Sequence, residues 1–140
     1  MMGFLYAIGG YNGNNEDLNS MEMFDIKTKQ WTRKANMPSK RFWFSSVSFM
    51  GKIYVCGGEG NSDRKSCETY DPQTNKWTPI ASMNDERIEF KMVAFEDNLY
   101  ALGGYIRNKG NSDSVEIYVH YSDKWFYSTS LSQKMREFGV

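Results

Sequence analysis

Three short runs of apolar residues stand among longer polar stretches of this chain, and each run ends in a pair of glycines. The runs span residues 5–10, 53–58 and 99–104. Short apolar segments that are rich in aromatic and β-branched residues and bounded by glycine predict β-strands. Two glycines at a strand end indicate positive φ, or a backbone that approaches too closely for a Cβ atom. No helical periodicity follows a doublet, as a phosphate-binding loop would require, so we set that site aside.

The doublets belong to a repeat of 46–48 residues. A tryptophan follows each doublet, an aromatic residue stands seven positions before each tryptophan, and a glutamate stands two positions before that aromatic residue. So many fixed offsets indicate a repeat architecture. The recurring residues are Gly9, Gly10, Gly57, Gly58, Gly103 and Gly104, the tryptophans Trp31, Trp77 and Trp125, the glutamates Glu22, Glu68 and Glu116, and the arginines Arg41 and Arg87.

This pattern resembles the kelch repeat, whose period is about 50 residues. The resemblance implies an all-β chain of consecutive four-stranded antiparallel blades, with strands A to D in each, and a partial β-propeller of about three blades. Residues 1–140 then form one kelch-repeat region with units at about 1–40, 41–86 and 87–134, and a further strand begins in 135–140. The third unit departs from the pattern, because Val119 replaces an aspartate and Arg136 falls one position late.

The first unit lacks a strand A, because its opening residues align with the turn before strand B of the second unit. Large aromatic side chains fill the wedge between twisted sheets, so we expect all three repeat tryptophans to be buried between blades. Propellers close with about four to eight blades. We therefore expect the chain to be part of a ring of six blades, with a ring built from two chains as the alternative. Strands are expected at about 4–8, 20–24, 30–33, 44–49, 53–56, 66–70, 76–80, 90–95, 99–102, 114–118, 124–128 and, at its start, 136–140.

The connectivity of such blades places their loops on two faces. Tight A–B and C–D turns lie on one face, and the long B–C loops and D–A links lie on the other, where a rigid scaffold usually carries its binding residues. Contact positions follow the doublets and the repeat arginines, where the kelch resemblance implies that partner peptides bind. Core packing is the alternative for Phe42 and Trp43, and a structural role in the turn is favoured for Arg41. The predicted partner-binding residues are Tyr11, Asn12, Arg41, Phe42, Trp43, Glu59, Ile88, Glu89, Tyr105 and Arg107.

Composition and charge narrow the possible functions. A formal net charge of +0 and only sparse basic pairs argue against nucleic acid or an anionic membrane as a partner. We predict no catalytic residue, metal or cofactor, because a kelch-type copper oxidase needs histidine ligands and His120 is expected at a C–D turn. Two cysteines, Cys56 and Cys67, are too few for a secreted disulfide framework. We expect them to be reduced and the protein to be cytoplasmic, with nuclear or cytoskeletal residence as alternatives.

The kelch resemblance also implies a function. Its commonest setting is a BTB–kelch adaptor that presents a protein substrate to a cullin-3 ubiquitin ligase, where a BTB domain outside these residues would bind cullin-3. Recognition of actin or another cytoskeletal partner is the first alternative. A kelch-type enzyme is the second.

Overall fold

The computed structural model describes residues 4–61 and 63–139 as β-strands joined by turns and loops. These residues contain no helix, and so no helix capable of crossing a membrane. The strands are β1 Phe4–Ile8, β2 Met21–Asp25, β3 Gln30–Arg33, β4 Arg41–Phe42, β5 Ser45–Phe49, β6 Lys52–Cys56, β7 Glu59–Gly60, β8 Cys67–Asp71, β9 Lys76–Ile80, β10 Arg87–Ile88, β11 Lys91–Phe95, β12 Asn98–Leu102, β13 Tyr105–Ile106, β14 Gly110–Asn111, β15 Val115–Val119 and β16 Lys124–Ser128.

Three antiparallel sheets form successive blades. Blade 1 consists of β1, β2 and β3, blade 2 of β5, β6, β8 and β9, and blade 3 of β11, β12, β15 and β16, paired in that order. This topology confirms the predicted all-β blades, and within the residues that the structure describes blade 1 has three strands, without a strand A. The first strands of blades 2 and 3 pack against each other, and Met92 N–H donates a hydrogen bond of 2.8 Å to Ser45 Oγ between them.

Hydrophobic side chains fill the two interfaces between blades. Blades 1 and 2 meet around a cluster that includes Met21, Val55 and Tyr70, and blades 2 and 3 meet around one that includes Leu99 and Tyr118. In the middle blade, β6 and β8 are buried at four of five positions. By contrast, β1 has one covered face and no fully buried residue. Burial of a blade therefore depends on having neighbours on both sides.

Hydrogen bonds mark both ends of the C strands, which begin one residue later in the chain than predicted. The carbonyl of the residue before each strand (Ser20, Ser66 and Ser114) accepts a hydrogen bond of 2.9–3.0 Å from the first glycine of its own unit. At the other end, Asp25 and Asp71 accept hydrogen bonds from the backbone N–H two residues later. These carboxylates cap the C–D turns, as aspartate commonly does.

The glycine doublet of blade 2 is held between the D–A links on either side of it. A Cβ atom on Gly57 would lie 2.5 Å from the carbonyl oxygen of Arg87, and one on Gly58 would lie 2.7 Å from the carbonyl oxygen of Phe42. Both glycines have positive φ. Gly58 N–H also donates a hydrogen bond of 2.9 Å to the Arg87 carbonyl. Both predicted reasons for the doublet, positive φ and close approach, are therefore present.

The repeat tryptophans differ in burial, so the prediction that all three are buried is wrong for Trp31. Trp125 is 7% exposed, Trp77 is half-buried and Trp31 is 53% exposed. Trp77 Nε1–H donates to the Ala35 carbonyl at 2.8 Å, and Trp125 Nε1–H donates to the Ala81 carbonyl at 2.9 Å. Each acceptor belongs to the link that leaves the preceding blade. Trp31 lies in the first blade of this chain and has no such neighbour.

The C-terminal segment does not form the predicted strand. Residues 136–139 are bends or unstructured positions, and Val140 lies outside the described residues. The carbonyl of Met135 accepts the hydrogen bond from Gly104 N–H at 2.8 Å. Met135 therefore holds the position of the repeat arginine, and Arg136 is the residue after it. In this register a strand A would begin only near residue 139.

Cys56 and Cys67 form a disulfide bond, which corrects the prediction of two reduced thiols. The two residues stand directly opposite each other in β6 and β8, with Cα atoms 4.2 Å apart, and both are buried. Opposed residues of an antiparallel pair bring their Cβ atoms close together. The expected reduced state followed from the expected cytoplasmic compartment, and a disulfide bond does not favour that compartment.

Gly10 and Gly58 offer a matched test of the close approach between the second glycine of a doublet and the backbone of a D–A link. Their φ angles are +88° and +90°, but a Cβ atom on Gly10 would meet nothing within 4 Å. We expect Gly10→Ala to cost about 1–2 kcal/mol in left-handed strain. Gly58→Ala should add an overpacking cost of about 1–3 kcal/mol. Urea unfolding measures both, and equal losses in the free energy of unfolding would contradict the packing argument.

Trp125 and Trp31 offer a second matched pair, because they hold the same repeat position with different burial. Trp125→Ala should lower the free energy of unfolding by about 3–5 kcal/mol, as for a buried aromatic residue. Trp31→Ala should lower it by about 1 kcal/mol or less, because it loses mainly the contact with Phe24, whose ring centre is 5.1 Å away. Urea titration checks both values, and similar losses for the two variants would show that blade neighbours do not determine burial here.

Candidate functional site

The long loops of the blades form a second layer of short strands. β4, in the link between blades 1 and 2, pairs with β7 in the B–C loop of blade 2. β10, in the next link, pairs with β13, which pairs with β14 in the B–C loop of blade 3. The B–C loops and D–A links therefore lie together, as the connectivity predicted, although short strands occur where only loops were expected. This surface, the loop face, consists of residues 9–20, 34–44, 57–61, 63–66, 81–90, 103–114 and 129–138.

Backbone hydrogen bonds join the successive D–A links to one another. Glu89 N–H donates to the Trp43 carbonyl at 2.9 Å, and Glu137 N–H donates to the Glu89 carbonyl at 3.1 Å. All three residues have φ between 52° and 54°. This left-handed conformation is uncommon in residues other than glycine. The links therefore hold these positions at fixed points of the loop face.

The predicted contact residues differ in how far they reach into solvent. Tyr11 and Trp43 are 60% and 50% exposed, and the side chain of Arg107 is 61% exposed. These residues lie on the loop face, and their contact with a partner stays a prediction. The half-buried members of the set are Asn12, Phe42, Glu59, Ile88, Glu89 and Tyr105.

Arg41 is fully buried, so its prediction as a partner-binding residue is wrong. Its Nη1 donates to the carbonyls of Gly57 and Ser66 at 2.8 and 3.1 Å, and its Nη2 donates to Ser66 Oγ at 2.8 Å. Glu68 Oε1 lies 3.4 Å from Nη2. Burial lowers the pKa of the Arg41 guanidinium, and the charge of Glu68 opposes this shift. Arg41 has the structural role that was the favoured alternative.

Arg87 repeats this network in blade 3 with an additional carboxylate. Its Nη1 donates to the Gly103 carbonyl at 2.8 Å, and its Nη2 lies 3.1 Å from Glu116 Oε1 and 3.4 Å from Asp85 Oδ2. Asp85 Oδ1 also accepts a hydrogen bond of 3.1 Å from Lys109 Nζ. This bond raises the pKa of Lys109. The buried scaffold network thereby extends to an exposed cation of the loop face.

Ion pairs occupy the loop face between blades 2 and 3. Arg64 pairs with Glu59, and Arg107 Nη1 lies 3.9 Å from Glu86 Oε2. A polar cleft of about 470 Å³ lies among these four residues. Sequence analysis named Glu59 and Arg107 but missed Arg64 and Glu86. Other units carry different residue types at these positions, Leu18 and Ser112 for Arg64 and Lys40 for Glu86, so the repeat pattern did not identify them.

Tyr11, Phe42 and Trp43 form an aromatic cluster on the loop face between blades 1 and 2. The Phe42 ring centre lies 5.9 Å from that of Tyr11 and 4.8 Å from that of Trp43, and both pairs have edge-to-face geometry. With Asn15 and Asp17, the three rings line an open cleft of about 290 Å³, the aromatic cleft. Sequence analysis missed Asn15 and Asp17, although Asp17 stands three residues before Ser20 as Asp63 does before Ser66. Phe42 packs against Tyr11 and Trp43 and also lines the cleft. Its position is therefore compatible with both packing and partner binding.

The residues considered for other chemistry lie apart from the aromatic cleft. The ring of His120 is 6.3 Å from that of Phe49, beside the tight turns on the opposite face. Within residues 4–61 and 63–139, no group of histidine, cysteine, aspartate and glutamate side chains is arranged to hold a metal ion. The loop face therefore offers aromatic surface, amide groups and charges of both signs, which are groups suited to recognising a polypeptide.

A family model described as Kelch motif matches residues 5–38, 44–84 and 86–132. The chain belongs to the kelch-repeat family. Each matched segment contains the strands of one blade. Kelch repeats form protein interaction modules, and the loop face is the surface of this kelch region on which the long loops gather.

Two curated relatives and one solved structure illustrate the similarity. The kelch chain is 40% identical over 60 residues to Kelch repeat and BTB domain-containing protein 8 of Xenopus tropicalis, which covers 41% of this chain and 10% of that protein. It is 37% identical over 54 residues to Alpha-scruin of Limulus polyphemus, and this match covers 39% of this chain and 6% of that protein. The solved structure of YjhT is similar in fold, with a TM-score of 0.76 and 19% identity over 93% of this chain and 50% of that one. The kelch chain thus spans half of YjhT, and the matched segments span a tenth or less of the two relatives.

Proposed function

We propose that this kelch region recognises a partner protein by binding one of its segments on the loop face. The observation that carries the proposal is the exposure of Tyr11 and Trp43 on the face where backbone hydrogen bonds hold the long loops together. Exposed aromatic side chains on a fixed backbone supply a large contact area at a low cost in conformational entropy. The ion pairs between blades 2 and 3 add polar groups that would fix the orientation of such a segment.

The finer proposal is a substrate-recognition role in a BTB–kelch adaptor of a cullin-3 ubiquitin ligase in the cytoplasm. The similarity to a protein named for its kelch repeats and BTB domain supports it. In this arrangement the loop face binds the substrate, and a BTB domain outside these residues binds cullin-3. A cytoskeletal partner such as actin is the second candidate, supported by the similarity to Alpha-scruin. We do not propose an enzyme, because the single histidine of the chain lies beside the tight turns.

Substitutions on the loop face should weaken partner capture. In the full-length protein, Tyr11→Ala and Tyr105→Ala should each lower the binding free energy by about 1–3 kcal/mol if they contribute as interface hot spots. The physical reason is the loss of ring area that the partner would cover. The measurement is quantitative mass spectrometry of proteins that co-purify with each variant, after circular dichroism has shown that the variant is folded.

Lys52→Ala and Gln73→Ala are the matched controls, because both residues lie beside tight turns on the opposite face. They should leave partner capture unchanged. Co-purification of cullin-3 should be the same for all four variants, since it would depend on a separate domain. Loss of partners with the control pair alone would show that the wrong face has been assigned. Co-sedimentation with filamentous actin that depends on Tyr11 and Tyr105 would favour the cytoskeletal candidate.

A further inference from the structure

The aromatic cleft combines the two kinds of group that attract a cation. Tyr11 and Trp43 are exposed, Phe42 forms an edge-to-face pair with each of them, and Asp17 is among the residues that line the cleft. Aromatic faces attract ammonium and guanidinium groups through the ring quadrupole. Among residues 4–61 and 63–139, no lysine or arginine forms an ion pair with Asp17. A cation in this cleft would therefore come from another molecule.

Blade 3 shows how a tyrosine of the loop face holds a cation. Tyr105 follows its glycine doublet as Tyr11 does, and Arg136 stands at the position that Phe42 holds in the first link. Arg136 Cζ lies 5.9 Å from the centre of the Tyr105 ring, and its Nη1 lies 3.4 Å from Glu89 Oε2. A ring and a carboxylate thus hold this guanidinium together. In blade 1 the corresponding position carries the ring of Phe42, so a cation beside Tyr11 would come from another molecule.

The charges around Trp43 favour a positive occupant. Asp17 lines the aromatic cleft. A second cleft that also includes Trp43 is lined by Glu89, Glu137 and Lys91, but Glu89 already pairs with Arg136. The negative charge that favours a cation in the aromatic cleft is therefore that of Asp17. Among the described residues, Asp17 thus differs from the carboxylates between blades 2 and 3, which already have arginine partners.

We propose that the aromatic cleft binds an arginine side chain of the partner segment. The inference rests on the proposed function and specifies it, because it names the side chain that the first blade recognises. A cleft of about 290 Å³ lies at the lower limit of the roughly 300–1,000 Å³ that sites for whole small molecules occupy. Its size suits one side chain of a longer polypeptide.

Arginine fits the cleft better than the other cationic side chains. Its planar guanidinium stacks on aromatic rings and donates paired hydrogen bonds to a carboxylate. The ammonium group of lysine is more strongly hydrated, so its transfer into an aromatic site is less favourable. A trimethylated lysine has no N–H group to donate to Asp17. The combination of rings with a carboxylate therefore selects the guanidinium.

The test is an NMR titration of the ¹⁵N-labelled full chain with the peptide acetyl-Gly-Arg-Gly-amide. The comparison peptide carries citrulline, which keeps the shape of arginine but has no charge. The indole N–H signal of Trp43, assigned with the variant Trp43→Phe, should shift and saturate with the arginine peptide. The citrulline peptide should bind at least about tenfold more weakly, because a neutral group gains no cation–π attraction.

Asp17→Asn removes the carboxylate charge with little change in side-chain shape, and it should weaken binding of the arginine peptide roughly 2- to 30-fold, because the guanidinium loses an ion pair and a charge-assisted hydrogen bond. The matched control is Glu16→Gln, which removes a charge one residue away, where the carboxylate accepts a hydrogen bond from Asn12. The control should leave the affinity within about twofold, because exposed charges outside a site contribute little.

Three results would overturn the inference: equal binding of the arginine and citrulline peptides, no shift of the Trp43 signal, or tighter binding of matched lysine or trimethyllysine peptides. Its failure is separable from that of the proposed function. If Tyr11→Ala and Tyr105→Ala abolish partner capture while the arginine peptide does not bind, the loop face functions without this cation. If Tyr11→Ala and Tyr105→Ala leave partner capture unchanged while the arginine peptide binds, the cleft recognises arginine but the proposed function of the loop face is wrong.

Discussion

In each of the two links that join the three blades, a buried arginine, Arg41 or Arg87, connects two consecutive blades, and the rest of the structure depends on this connection. The carbonyl of Arg87 accepts a hydrogen bond of 2.9 Å from Gly58 in blade 2, and its guanidinium binds the Gly103 carbonyl and Glu116 in blade 3. Burial of a charge is unfavourable unless the charge is paired and hydrogen-bonded. The doublet, the glutamate and the arginine must therefore occur together, which explains their fixed spacing in the sequence.

The same connection fixes the backbone of the loop face. The residues directly after each doublet and each repeat arginine lie outside this hydrogen-bonded network, but the network fixes their backbone positions. Their side chains can therefore vary without changing the fold. Blade 1 places aromatic residues there, including Tyr11 and the neighbouring Trp43. At the corresponding positions, blade 2 and the link that follows it carry Glu59 and Glu89. Blade 3 and the segment that follows it place Arg136 against the ring of Tyr105. A constant scaffold with variable chemistry on one face is what partner recognition requires.

Local patterns in the sequence were sufficient to predict the blades, because alternation and turn chemistry act over a few residues. Trp31 was predicted wrongly because its burial depends on a neighbouring blade and not on its own unit. Arg41 could be assigned two roles until its burial was known. The Cys56–Cys67 pair required the register of two strands, which sequence patterns fix less well than the strands themselves. Asp17 was missed although Asp63 holds the equivalent position of blade 2, because the predicted contact positions followed only the doublets and the repeat arginines.

The most direct test of the central claim is a double-mutant cycle on Arg87 and Glu116, measured as free energies of unfolding in urea. Arg87→Met and Glu116→Gln each leave one buried group without its partner, so each should cost about 3–5 kcal/mol. The double variant should lose much less than the sum of the two, with a coupling energy on the order of 1–3 kcal/mol. Additive losses, or single losses below about 1 kcal/mol, would contradict the claim that this buried pair holds adjacent blades together.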